Sequence, residues 1–142
     1  TLLGTLWFIF SHSAQPAAVS GAQSRGVLAL VNQALRGWGL PGVSEHLLRK
    51  AAHFAEFTAL GWWLLLCARA FAARAVRRMP WLWGAGILCA AADEGIQFFV
   101  PGRSARISDV LLDGCGVLAG LVLAWAGIWV WARLHGRAKQ RR

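Results

Sequence analysis

At 142 residues the chain has room for a single domain, read here as residues 1–142. It is 57% hydrophobic and only 15% charged, against about 25% charged in an ordinary soluble domain, which argues against a water-soluble globule and for lipid around the excess apolar surface. The net charge of +9 does not signal nucleic acid, because the basic residues fall in the short connections between apolar runs and not along one face.

The first apolar run, Leu2–Phe10, is already under way at Thr1, which is not Met. This suggests an apparently truncated N-terminus, missing a few residues ahead of a first membrane helix. A cleaved signal peptide is the rival reading, since Ser11-His12-Ser13 offers a small-x-small site. In the following stretch Val27, Leu30, Val31, Ala34, Leu35 and Trp38 recur at helical spacing opposite Arg25, Asn32, Gln33 and Arg36. That pattern predicts an amphipathic helix lying on the outer membrane surface, or a lid over what lies beneath. Gly39-Leu40-Pro41-Gly42 should end it, and Ser44 should cap the next helix.

The second span is predicted from about Ala51 to Ala68 and includes His53 and Glu56. The third runs from Pro80 to about Val100 and includes Asp93, Glu94 and Gln97. Their uncharged runs are only twelve and fourteen residues long, so each must carry polar residues into the membrane if it crosses at all. The fourth, Gly114–Ala132, has nineteen residues without a charge and matches a hydrocarbon core of roughly 30 Å. The predicted fold is therefore all-α and polytopic, with four transmembrane helices and an amphipathic outer-surface helix between the first two.

Orientation follows from the basic residues. Arg69, Arg74, Arg77 and Arg78 lie after the second span, and Arg133, Arg137, Lys139, Arg141 and Arg142 after the fourth. Six others, Arg25, Arg36, Arg49, Lys50, Arg103 and Arg106, lie on the opposite side. The richer side is assigned to the cytoplasm. Trp81, Trp83, Trp129 and Trp131 fall at one depth on that side, as an interfacial belt would.

With this topology the polar residues meet. Arg49, His53, Glu56 and Leu60 form one stripe of the second span. Asp93, Glu94 and Gln97 share the outer end of the third, and Asp109 and Asp113 the outer start of the fourth. Below these acids Gly116 and Gly120 form a G-x-x-x-G pair that admits a close neighbour. Five of the six acidic residues thus fall in one outer layer, within about 12 Å of the helix ends. A carboxylate facing lipid costs about 2.5–3.5 kcal/mol even on insertion scales, so the five must face one another, water or cations. An ion-pair cluster that only holds helices together is the plain alternative to a working site.

Cys67, Cys89 and Cys115 lie inside apolar runs and read as packing residues. Gly114-Cys115-Gly116 opens a G-x-G-x-x-A string, but it sits inside an apolar span with no strand before it, which disfavours a dinucleotide site. His53 and Glu56 make an H-x-x-E and not the H-E-x-x-H of a zinc protease. A metal on His53, Glu56, Asp93 and Glu94 needs more coincidences than ion pairing, so no metal is assigned and no cofactor is named. Ser11, His12 and Ser13 lack a nucleophile motif, and His46 and His135 read as surface residues.

Arg49-Lys50-Ala51-Ala52-His53-Phe54-Ala55-Glu56-Phe57 resembles the R-K-x-x-H-F-x-E-[YF] signature of the VanZ-like membrane proteins. Asp93-Glu94-Gly95-Ile96-Gln97 through Pro101 and Arg103 is similar to that family's D-E-x-x-Q-x-x-x-P-x-R block. Asp109 to Asp113 with Gly116 is similar to its D-x-x-x-N-x-x-G, with Asp113 where many members carry Asn. Phe10-Ser11-His12-Ser13 resembles the family's F-S-S-Q stretch loosely. The resemblance implies a multi-pass protein of the bacterial cytoplasmic membrane, in a family whose name member is linked to teicoplanin resistance.

The reading that results is a cell-envelope membrane protein whose polar His/Glu/Asp/Arg site near the outer leaflet binds an envelope component. The partner would be a membrane lipid or lipid-linked envelope component, with a glycopeptide as the other candidate. The rival is a membrane-embedded enzyme using acid–base or metal chemistry on a lipid-linked or anionic substrate. In it His53, Glu56, Asp93 and Glu94 would be catalytic, and Arg49, Lys50, Gln97, Arg103, Asp109 and Asp113 would hold substrate. A transporter is disfavoured, because the inner halves of the last three spans carry no charge.

Overall fold

Runs of Leu, Ala, Val and Trp, interrupted only by clusters of Gly, Pro and Ser, favour helices separated by tight turns. In the computed structural model, which describes residues 1–71 and 75–139, that is what the chain forms. The helices are α1 (Leu2–Ser13), α2 (Ala17–Gly37), α3 (Glu45–Phe71), α4 (Met79–Phe98) and α5 (Ile107–Lys139), with a 3-10 turn at Ala75–Arg78. There is no strand among the described residues. Arg74, Arg141 and Arg142, counted in the charge asymmetry, lie outside them.

Two helices, α3 and α5, are long and apolar enough to cross a membrane. Both begin earlier than the charge-free runs suggested. Ser44 Oγ accepts the Leu47 N–H at 3.2 Å, so α3 starts at Glu45 and carries Arg49 and Lys50 on its first turns. Likewise α5 starts at Ile107, which brings Asp109 and Asp113 onto the same helix as the apolar span. The 20 residues of α4 reach about 30 Å, with Pro80 in the first turn. The 12 residues of α1 reach about 18 Å, shorter than a full crossing.

Glycine sets the spacing of α3 and α5. A Cβ on Gly120 would collide with the Thr58 carbonyl oxygen, and one on Gly61 with that of Val117. One on Gly116 would stand 2.7 Å from the Phe54 carbonyl oxygen. Phe54, Thr58 and Gly61 therefore form the α3 side of the seam that the Gly116/Gly120 spacing predicted, and Gly61 adds a third glycine to it. Helix α4 closes on the other side of α5, where Gly86 faces the Val117 side chain. Trp83 Nε1 donates to the Gly114 carbonyl at 2.9 Å. Trp83 is thus tied to a neighbouring helix, and it is exposed, as are Trp81, Trp129 and Trp131.

Two left-handed glycines shape the connections. Gly39 (φ 70°) ends α2, with the Leu40 N–H returning to the Leu35 carbonyl and the Gly39 N–H to that of Arg36. Gly102 (φ 78°) follows Pro101 in a turn closed by Arg103 N–H to Val100 O, which places Arg103. On α2 the apolar stripe divides: Val27, Leu30 and Trp38 are exposed, while Leu28, Val31 and Leu35 are half-buried. Asn32, expected on the polar face, bridges to the backbone of Val43, accepting at 2.7 Å and donating at 3.1 Å.

Candidate functional site

Helical spacing on α3, α4 and α5, with the Pro101-Gly102 turn, delivers the predicted polar residues to one end of the bundle. Of the ten residues singled out in the sequence, eight line one cavity of about 130 Å³: Arg49, Lys50, His53, Glu94, Gln97, Arg103, Asp109 and Asp113. Glu56 faces a second cavity of about 300 Å³ beneath α2, which shares Arg49, His53 and Arg103 with the first. Asp93 is sealed behind these walls with no exposed surface.

The interactions are specific and few. Lys50 Nζ lies 2.8 Å from Asp109 Oδ1. His53 Nδ1 and Glu56 Oε2 stand 4.0 Å apart, too far for a hydrogen bond. Gln97 Nε2 donates to Asp93 Oδ2 at 3.0 Å and to Ser13 Oγ at 3.3 Å. Glu94 Oε2 accepts the Arg106 backbone N–H at 2.9 Å. Arg103 donates from Nη2 to the His12 carbonyl at 3.1 Å. Burial, and next the Arg49 charge, lower the Arg103 guanidinium below its ordinary value, while Asp93, Glu94 and Glu56 pull it back up. Arg103 is thus held where carboxylates and a second guanidinium both act on it.

Among the described residues, Lys50–Asp109 is the one pair joining a carboxylate to Lys or Arg within 4.0 Å. A network that merely stapled the helices would pair more of its charges. Instead Asp93 Oδ1 and both Asp113 oxygens are buried without a hydrogen-bond partner among the described residues. Ligand atoms of His53, Asp93 and Asp113 lie within 4.8 Å of one another, so α3, α4 and α5 each contribute one group to a common point.

Sequence reasoning missed several participants. Ser13 is fully buried against Gln97, and the His12 carbonyl anchors Arg103. His46, read as a surface residue, is exposed yet lines the cavity, as does Ser104. The F-S-S-Q likeness was the one signal that pointed to the end of α1. His135 matches expectation, exposed and stacked on Trp131.

These features define a helical protein of membrane character with a polar cavity between its helix ends. The sequence profile of the VanZ/LLP1 family matches residues 1–131, and the chain belongs to the VanZ-like family. No functionally curated sequence and no solved structure matches it.

Proposed function

We propose that this VanZ-like protein is a multi-pass protein of the bacterial cytoplasmic membrane that binds the anionic head of an envelope component, a lipid or lipid-linked phosphate, at the outer leaflet. Helices α1, α3, α4 and α5 would lie in the bilayer and α2 along its outer surface, with Leu30 and Trp38 turned to lipid. The observation that carries the reading is the wall of the cavity. Arg49 and Arg103 both line it, and neither is in an ion pair among the described residues. Convergent guanidinium donors from a helix and a turn are a grip for a phosphate oxygen fork. Lys50, tied to Asp109, and Gln97, tied to Asp93, would set the floor. A link to glycopeptide resistance, suggested by the family resemblance alone, would act through the retained envelope component.

A second reading, a membrane-embedded enzyme on the same substrate class, is favoured by one observation. Asp93 and Asp113 are 0% and 1% exposed, and Asp93 Oδ1 and both Asp113 oxygens are free of hydrogen bonds among the described residues. Such carboxyls suit acid–base work, with His53, Glu56 and Glu94 beside them.

The test is binding of a long-chain prenyl phosphate to protein in nanodiscs, read beside thermal stability. Arg49→Gln and Arg103→Gln should each weaken binding about tenfold, the worth of one charged hydrogen bond, with the protein folded. Arg133→Gln should leave binding unchanged. Equal binding by all three, or losses that track unfolding, would refute the site. Consumption of the phosphate lipid, abolished in Asp93→Asn, would select the enzyme.

A further inference from the structure

We propose that His53, Asp93 and Asp113 form a binding site for one divalent transition-metal cation of the zinc or manganese kind, going beyond the anion grip and independent of it. Three helices place one potential ligand each within 4.8 Å of the others. Asp93 and Asp113 are 0% and 1% exposed, and Asp93 Oδ1 and both oxygens of Asp113 have no hydrogen-bond partner among the described residues. Two buried carboxylates with unused lone pairs must meet protons or a cation. Lys50 is engaged with Asp109, and Arg103 donates to the His12 carbonyl. No Lys or Arg stands within ion-pair distance of either Asp among the described residues.

The donor set selects the ion. One imidazole and two carboxylates are harder than a thiolate set, yet the imidazole favours first-row transition ions over Mg²⁺ and Ca²⁺. Two negative oxygens would balance a 2+ charge, so the occupied site adds no net charge to the helix bundle. Metal–ligand distances of about 2.0–2.2 Å need donor atoms roughly 3–3.6 Å apart, so each side chain would move inward by up to about 1 Å. His53 and Asp113 line the 130 Å³ cavity, which has room for about four waters at roughly 30 Å³ each. The free coordination positions would therefore face the cavity, as an open metal site requires.

The test uses the full chain in nanodiscs, stripped of metal and titrated with Zn²⁺, Mn²⁺ or Mg²⁺ alone, with no lipid phosphate present. The readouts are bound ion per chain by elemental analysis, the thermal midpoint, and the visible absorption of Co²⁺-loaded protein. Expected is one Zn²⁺ or Mn²⁺ per chain, a raised midpoint, and a Co²⁺ spectrum showing nitrogen and oxygen ligands. His53→Gln and Asp113→Asn should weaken uptake by more than about 100-fold, beyond what loss of an outer-shell partner costs. Glu45→Gln, at a carboxyl that lines neither cavity, should keep the ion. Should Asp113→Asn fail to fold, His53→Gln and the Co²⁺ spectrum of the wild type still decide. Folded wild type that takes up no transition ion, responds only to Mg²⁺, or holds the ion undiminished in His53→Gln overturns the proposal. The phosphate-binding test turns on Arg49 and Arg103, so either result can fail without the other.

Discussion

The α3–α5 seam makes a sharp forecast about two glycines seven residues apart. A methyl group on Gly120 would overlap the Thr58 carbonyl oxygen and stand 2.7 Å from the Trp62 nitrogen. Both are backbone atoms of α3, so no side chain can rotate away and the helices must separate by roughly 1 Å. Overpacking of this kind costs about 1–3 kcal/mol and sometimes more; with backbone on both sides, about 3 kcal/mol is expected for Gly120→Ala, or over 100-fold in the folding equilibrium. At Gly127 the nearest atom to an added Cβ is the far end of the Trp62 ring at 3.7 Å, ordinary contact. There, alanine replaces glycine in a helix interior at no steric cost and should stabilise by up to about 1 kcal/mol. Thermal unfolding of both variants in one detergent supplies the comparison. The seam also carries the site, since His53 precedes Phe54 and Asp113 lies one turn before Gly116–Val117. Gly120→Ala should therefore weaken ligand binding as well as stability. Gly120→Ala as stable as wild type, or Gly127→Ala equally damaging, would refute the close-approach argument.

Other expectations are simpler to state. Asn32→Ala removes two hydrogen bonds to Val43 and should destabilise by about 1–3 kcal/mol, while Gln33→Ala on the same helix should be near neutral; equal effects would mean that Asn32 does not pin the 39–44 connection. Gly102→Ala forces φ 78° on an L-residue and brings its Cβ to 3.0 Å from that of Ala17, so a loss of about 1–2 kcal/mol with displaced Arg103 is expected; unfolding and phosphate-lipid binding measured together check it, and unchanged values for both would contradict the turn assignment. Cysteine at Ala75 should label from the cytoplasm and at Ser104 from outside; the opposite pattern would invert the topology and carry the cavity to the inner face.

The polar layer was legible in the sequence because its signal is physical and local. Carboxyls in an otherwise apolar chain are expensive, and helical spacing says which of them share a face. Eight of ten such residues accordingly line one cavity. Helix starts were less legible: charge-free runs mark where apolar surface begins, whereas Ser44 and the polar turns beyond it decide where the backbone begins to coil. Gly61 escaped notice since a lone glycine has no partner at four-residue spacing; its need arises from Val117 on another helix. Ser13 escaped for a like reason, as a serine at the end of an apolar run gains meaning only once Gln97 of α4 reaches it. Trp83 was assigned by depth alone, and depth does not reveal that its N–H finds the Gly114 carbonyl.

The division of the buried acids between α4 and α5 bears on how such a chain could be made. Helix α4 carries Asp93 and Glu94 and is not among the helices apolar enough to cross unaided. At about 2.5–3.5 kcal/mol for each carboxylate, a nascent chain ending at Phe98 would leave α4 poorly partitioned into a bilayer. Its neighbours lie on either side in time as well as in space: α3 is synthesised before it, and α5 supplies Gly114 and Val117, against which α4 packs. On the multi-pass topology proposed above, insertion of α4 would thus wait for α5, the last two helices would enter the membrane as a hairpin, and ribosome stalling between them would leave α4 outside it.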